Sequence, residues 1–113
     1  MSATATLDKV QHLRHDIGLT EDDLAEATGA STRTVRRWTN AGTDPQRGHS
    51  RQIDDLDAVV GELQDTLTPK GIRQWLHARN RYLKGKRPID LLKEERFDEV
   101  YEAATAFSDG VYL

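Results

Sequence analysis

TEDDLAEATGASTRTVRRW, residues 20–38, is the stretch on which the fold turns. Thr20 offers a side-chain oxygen to open a helix, and Glu21, Asp22 and Asp23 follow where the helix dipole favours negative charge. Leu24, Ala25 and Ala27 give that helix a small apolar face, and Gly29 supplies the left-handed residue that stops it. Ser31 then caps a second helix, whose apolar residues are Val35 and Trp38. Two short helices joined by a tight turn are predicted, the first narrow enough at Ala25 for the second to lie close across it.

Outward on the N-terminal side, Leu7, Val10, Leu13 and Ile17 recur at helical spacing, with Gly18-Leu19 as a stop and its hydrophobic contact. On the other side, the turn formers of residues 40–45 end the second helix of the pair. Three helices therefore form a compact unit, and the spacing of Ala25, Gly29, Val35 and Trp38 is similar to that of helix-turn-helix repressors. That resemblance places the later helix in the DNA major groove and nominates Ser31, Thr32, Arg33, Thr34, Arg36 and Arg37 as DNA-binding residues. Arginine can bridge guanine O6 and N7 or neutralise phosphates, while serine and threonine can donate to either. The alternative is a helical hairpin with an arginine-rich solvated face. The carboxylates of Glu21, Asp22 and Asp23 favour that alternative, since they would repel phosphates near the start of the motif.

Beyond a polar stretch, Ser50 is expected to cap a long helix with the stripe Ile53, Leu56, Val59, Val60, Leu63 and Leu67, bridging the two halves. Thr68-Pro69 opens the next helix, with proline at a position whose N–H would be unsatisfied anyway, and Ile72, Trp75 and Leu76 form its buried face until Asn80 ends it. A basic segment leads through Gly85 to Pro88 and a short helix with Ile89, Leu91 and Leu92. A last helix shows Phe97, Val100, Tyr101, Ala104 and Phe107 on one face, closed by Asp109-Gly110 and followed by the tail Val111-Tyr112-Leu113. No segment alternates with period two, so the fold class is all-α: a helix-turn-helix domain over residues 1–48 and a second helical domain over residues 49–113.

Composition narrows the function classes. The 113 residues suffice for one modest core but leave little room for an enclosed active site. The absence of cysteine excludes disulfides, thiolate metal sites and thiol nucleophiles. No run approaches the roughly 20 apolar residues of a membrane span, and the small polar start lacks a basic-then-apolar leader, so a cytoplasmic protein is expected. The net charge of −3 argues against nucleic acid, yet residues 31–51 carry five arginines against Asp44 alone. For catalysis the inventory offers little: His12 and His15, with Asp8 and Asp16, read as solvated helix residues, and no nucleophile and base stand at a working spacing. No enzyme activity, catalytic residue, metal site or cofactor is expected.

The second half carries a further resemblance. Trp75-Leu76, then Asn80-x-x-Leu83-x-Gly85-x-x-Pro88-x-Asp90-Leu91-Leu92, and finally Phe107-Ser-Asp-Gly-Val-Tyr112, resemble the toxin-binding domain of the Xre/MbcA/ParS antitoxin family; Arg79, before the asparagine, is the one departure noted. Read without the family, the central run is a rigid basic connection, in which Gly85 permits a tight turn and Pro88 fixes the entry to the next helix. Its basic residues either keep the turn soluble or form a contact surface. The resemblance implies the second: an antitoxin that binds a cognate toxin encoded by an adjacent gene, of the RES type that consumes NAD or transfers ADP-ribose, and blocks its active site. It assigns toxin contact to Asn80, Leu83, Lys84, Gly85, Lys86, Arg87, Pro88, Gly110, Val111, Tyr112 and Leu113. The tail would lie at the toxin's entrance, with the Leu113 carboxylate positioned to meet cations that hold NAD phosphates; otherwise it is a frayed or folded-back terminus. Such antitoxins also repress their own operons, so operator DNA and a homodimer are expected partners. A freestanding helix-turn-helix transcription regulator is the competing reading.

Overall fold

The structure, a computed structural model, describes residues 3–110. Helix α1 (Ala3–Gln11) runs on into a wider π turn over His12–Asp16, followed by α2 (Glu21–Thr28), α3 (Thr32–Asn40) and α4 (Arg47–Leu63). Then come α5 (Pro69–His77), a 3-10 turn (Arg81–Leu83), α6 (Pro88–Lys93) and α7 (Phe97–Ser108). Among the described residues there is no strand, only an isolated antiparallel bridge between Asn80 and Lys86. The protein is all-α.

The caps form where the side chains dictate. Thr20 accepts from the Asp23 amide at 3.0 Å while the Asp23 carboxylate accepts from the Thr20 amide at 2.8 Å, a reciprocal capping box. Gly29 sits at φ 77 and closes α2, Ser31 caps α3 through the Thr34 amide, and Thr68 caps α5 ahead of Pro69. Gly18 at φ 80 ends the π turn, and the carbonyls freed there are taken up by arginines: Arg14 donates to Leu19 O at 2.6 Å and Arg73 to Ile17 O at 2.7 Å.

Several expected boundaries move. Helix α4 begins at Arg47 after an extended Gln46, not at Ser50, whose Oγ lies 3.2 Å from Thr6 Oγ1. Arg47 and Gly48 are exposed, so water can serve their amides without a side-chain cap, and His49 packs on Trp38 with ring centres 5.5 Å apart. The helix ends at Leu63 rather than Leu67, because Pro69 forces Thr68 out of the helical region and the chain must unwind before it. Helix α5 ends at His77, and Asn80 instead closes the following turn. On α7 the buried face is Val100, Ala103 and Ala104, while Tyr101 lies at its edge, exposed, donating to Glu62 Oε1 at 3.2 Å. Leu7 is only half-buried.

One hydrophobic core runs through both halves. It takes Val10 and Leu13 from the first helix, Leu24 from α2, Val35 and Trp38 from α3, the α4 stripe, and Ile72, Leu76, Leu91, Leu92 and Val100 from the second half. Helix α4 packs along α7, and α2 lies against α3, α4 and α6. The motif's first helix is thus also part of the floor beneath the C-terminal turn.

Candidate functional site

Helix α3 presents its basic edge outward because Val35 and Trp38, fully or almost fully buried, fix its inner face. Ser31, Thr32, Arg33, Arg36 and Arg37 are exposed and Thr34 is half-buried. These residues differ in their freedom. The Ser31 hydroxyl caps α3 and lies 3.0 Å from Thr34 Oγ1, so both side chains hold the helix start. Arg36 Nε donates to Glu21 Oε1 at 3.3 Å, and Thr39 Oγ1 lies 3.3 Å from the other carboxylate oxygen and 3.2 Å from Arg36 O, with one proton to give between them. Among the described residues Arg33 and Arg37 form no ion pair. Arg47 is exposed at the start of α4, whereas Arg51, also exposed, faces the cleft between α4 and α7.

The second constellation is the turn over residues 80–88. The Asn80 amide donates to Lys86 O at 3.0 Å, and Asn80 O accepts from the Leu83 and Gly85 amides at 3.0 and 2.8 Å. Lys84 at φ 58 and Gly85 at φ 84 are consecutive left-handed residues that reverse the chain. Asn80, Leu83 and Pro88 are turned inward and hold the turn; Lys84 and Lys86 stand exposed at its tip, and Gly85 and Arg87 are half-buried. Asn80 Oδ1 is buried with no hydrogen-bond partner among the described residues.

Arg87 is not a loose cation. Its Nε and Nη2 clamp the two Asp90 oxygens at 2.9 and 2.8 Å, and Nη2 lies 3.5 Å from Glu26 on α2. The guanidinium hydrogen bonds hold the Asp90 carboxyl below its usual range, and the same pairing raises Arg87. His77 Nε2 lies 2.6 Å from Asp23 Oδ1, so α2 is joined to the C-terminal half at two points.

A cleft of about 260 Å³ separates this turn from α7, floored by Leu83 and Leu91 and rimmed by Lys84 and Lys86 on one side and Asp98, Glu99 and Glu102 on the other. The Tyr82 hydroxyl donates to Glu102 at 2.7 Å across it. A second cleft, between α4 and the start of α7, is lined by Arg51, Asp55, Glu95, Arg96 and Phe97 among others. Burial raises Asp55 there, with Asp54, Glu95 and Asp98 adding repulsion against the lowering effect of Arg51. His12 bonds Asp16 at 2.7 Å within the π turn. Among the described residues no three His, Asp or Glu side chains converge as a metal site, and no helix is long and apolar enough to cross a membrane.

No family model matches the sequence. The chain is 43% identical over 96 residues to a Mycobacterium tuberculosis protein named "Probable mycobacterial cidal antitoxin Rv3188", covering 85% of this chain and 82% of that one. It belongs to the mycobacterial cidal antitoxin family. Identity to the mycobacterial cidal antitoxin MbcA of Mycobacterium bovis is 29% over 97 residues, 86% of each chain. In three dimensions it is similar to a chain of the crystal structure of the M. tuberculosis MbcT–MbcA toxin–antitoxin complex, with a TM-score of 0.80 at 27% identity, covering 95% of this chain and 96% of that one. The family suggested by the run from Asn80 to Leu92 is therefore the right one.

In this antitoxin the structure brings Asn80, Leu83, Lys84, Gly85, Lys86, Arg87 and Pro88 together as one turn, and sets Gly110, exposed at φ 70, beyond the end of α7. Val111, Tyr112 and Leu113 lie outside the described residues. Sequence reading did not single out Glu26, His77 or Glu102 as neighbours of this turn. They lie 61, 10 and 15 residues of chain from Arg87, and no local spacing links them to it. The sequence shows Glu21 as a first-turn carboxylate of the helix and a charge unfavourable to phosphate, not as a partner of Arg36, 15 residues on.

Proposed function

We propose that this antitoxin binds and neutralises a cognate toxin encoded by an adjacent gene, a RES-type enzyme that consumes NAD or transfers ADP-ribose, by closing its active site. Whole-chain likeness to a chain of the MbcT–MbcA complex, at a TM-score of 0.80, carries this reading. The chain acts by binding rather than catalysis, in the cytoplasm. The work divides near residue 48: the later part supplies toxin contacts from Lys84 and Lys86 at the turn's tip, held by Asn80, Leu83, Gly85, Arg87 and Pro88, and from Gly110, Val111, Tyr112 and Leu113 beyond α7. Exposed lysines flanking an apolar cleft suit a protein partner, since such a surface gives buried area at its centre and charge at its rim. The N-terminal part, as a homodimer, binds operator DNA through Ser31, Thr32, Arg33, Thr34, Arg36 and Arg37 and represses the operon.

The decisive experiment expresses the neighbouring reading frame alone and with this protein. Growth arrest relieved by co-expression, with the two products purifying together and NAD turnover suppressed, is the expected result. A non-toxic neighbour, or a toxic one that neither binds nor is silenced, overturns the proposal. The basic outer edge of α3 favours the second reading, a freestanding DNA-binding regulator; sequence-selective DNA binding by a chain with no such neighbour would establish it.

A further inference from the structure

Read as sequence, Glu21 argues against DNA binding, because it puts a carboxylate near the start of the motif. Its geometry gives it a different part. Glu21 opens α2 directly after the Thr20 cap, and its side chain is 24% exposed, whereas that of Arg36 is 59% exposed. The carboxylate is recessed and the guanidinium stands out beyond it. Oε1 of the carboxylate accepts from Arg36 Nε at 3.3 Å, and Oε2 lies 3.3 Å from Thr39 Oγ1. Asp23, two residues on, is occupied by the capping box and His77, and Asp22 between them is exposed.

We infer that Arg36 is a base-reading residue of the DNA interface, selective for guanine, and that Glu21 is its positioning residue. The inference rests on the DNA-binding reading above and deepens it. A guanidinium held through Nε keeps its two Nη groups free, and it is a pair of parallel N–H donors that fits guanine O6 and N7. A carboxylate directly behind the guanidinium weakens its attraction for phosphate, since the pair together carries no net charge, but leaves hydrogen bonding to a neutral base edge intact. Arg33 and Arg37 form no ion pair among the described residues and keep their full charge for phosphates. The arginines of α3 are thereby sorted into one reader and two neutralisers.

The test uses the full-length protein and two duplexes, the DNA upstream of its own reading frame and a scrambled duplex of equal composition, over a series of salt concentrations. Arg36→Ala should cut the preference for the upstream duplex by about 5- to 150-fold, with the salt slope of scrambled binding unchanged. Arg37→Ala should weaken both duplexes alike and reduce the salt slope by about one. Glu21→Ala should lower the preference while leaving scrambled binding equal or tighter, and should have no further effect when combined with Arg36→Ala. Replacing guanine by 7-deazaguanine, which lacks the N7 acceptor, should weaken the wild type and not Arg36→Ala. If Arg36→Ala behaves like Arg37→Ala, or Glu21→Ala leaves selectivity untouched in a protein that unfolds normally, the assignment is overturned while DNA binding stands. A wild type with no preference between the duplexes overturns the assignment and the DNA-binding reading together.

Discussion

The Asp23 carboxylate serves two halves of the molecule at once: Oδ2 accepts from the Thr20 amide at 2.8 Å and Oδ1 meets His77 Nε2 at 2.6 Å. A residue whose sequence position announces a helix start is also a tie between α2 and α5.

Asp23→Ala should therefore cost more than the loss of a simple cap. A capping residue is worth about 1 kcal/mol, and a hydrogen bond with a charged partner adds on the order of 1 kcal/mol. His77→Ala should cost about half as much as Asp23→Ala, and the two losses should not add, because they share one contact. Urea unfolding of both single variants and the double variant checks this; strict additivity would show that the tie is idle.

Glu95 follows α6 at φ 62, its amide bonded to Leu92 O at 3.0 Å and that of Arg96 to Leu91 O at 2.9 Å. This is the left-handed close of a helix in which glycine is the usual occupant, and an L-residue there costs about 1–2 kcal/mol. Glu95→Gly should stabilise the protein by about 0.5–1 kcal/mol once the added freedom of the unfolded chain is counted. Thermal unfolding should show a melting point raised by a few degrees.

Gly18 poses the opposite case. At φ +80, a Cβ would also stand 3.0 Å from the Arg73 guanidinium, which caps Ile17 O. Gly18→Ala should destabilise by at least about 1 kcal/mol, and should cost less in an Arg73→Ala background, where no guanidinium meets the new methyl. Denaturant midpoints of the three variants separate backbone strain from the clash.

Acid response should divide the aspartates. Asp90 is lowered from 3.8 by its clamp to Arg87, so its stabilisation is complete above that value and is lost as pH falls through the lower folded one. Asp55 and Asp57 are raised from 3.8, chiefly by burial, so each disfavours folding at neutral pH, and the effect is relieved as pH falls through the raised value towards 3.8. Asp55→Asn and Asp57→Asn should raise stability at pH 7, with the gain disappearing near pH 3.8, whereas Asp90→Asn should lower it. Unfolding curves between neutral and acid pH give the signs directly.

At the proposed toxin surface, Lys84→Glu with Lys86→Glu should leave the fold intact, because both side chains are exposed, and weaken association with the toxin at least tenfold. Deleting residues 111–113 should leave a folded protein that no longer protects cells. Protection by both variants at wild-type levels would move the contact elsewhere.

Much of the architecture was readable in advance because its signals are local. Thr20, Gly29, Ser31, Thr68 and Pro88 act within one helical turn of themselves, and the i, i+3, i+4 spacing of Ile53, Leu56, Val59, Val60 and Leu63 needs only one helix to be recognised. Misjudged positions were those where a non-local contact competed. Ser50 has the side chain of a cap, but the packing of His49 on Trp38 and the solvation of Arg47 and Gly48 start α4 a turn earlier. Tyr101 has the spacing of a core residue, but its hydroxyl finds Glu62 at the edge.

What the chain determined through short-range chemistry was its helices, the ends capped at Thr20, Gly29, Ser31 and Thr68, and the reversed turn after Asn80, all within a few residues of the groups that cause them. Which charges are already spoken for was decided only by folding. Glu21 against Arg36, Asp23 against His77 and Glu26 against Arg87 join positions 15, 54 and 61 residues apart. A carboxylate and a partner that far apart along the chain meet only when burial of the common core fixes α2 between α3 and α6.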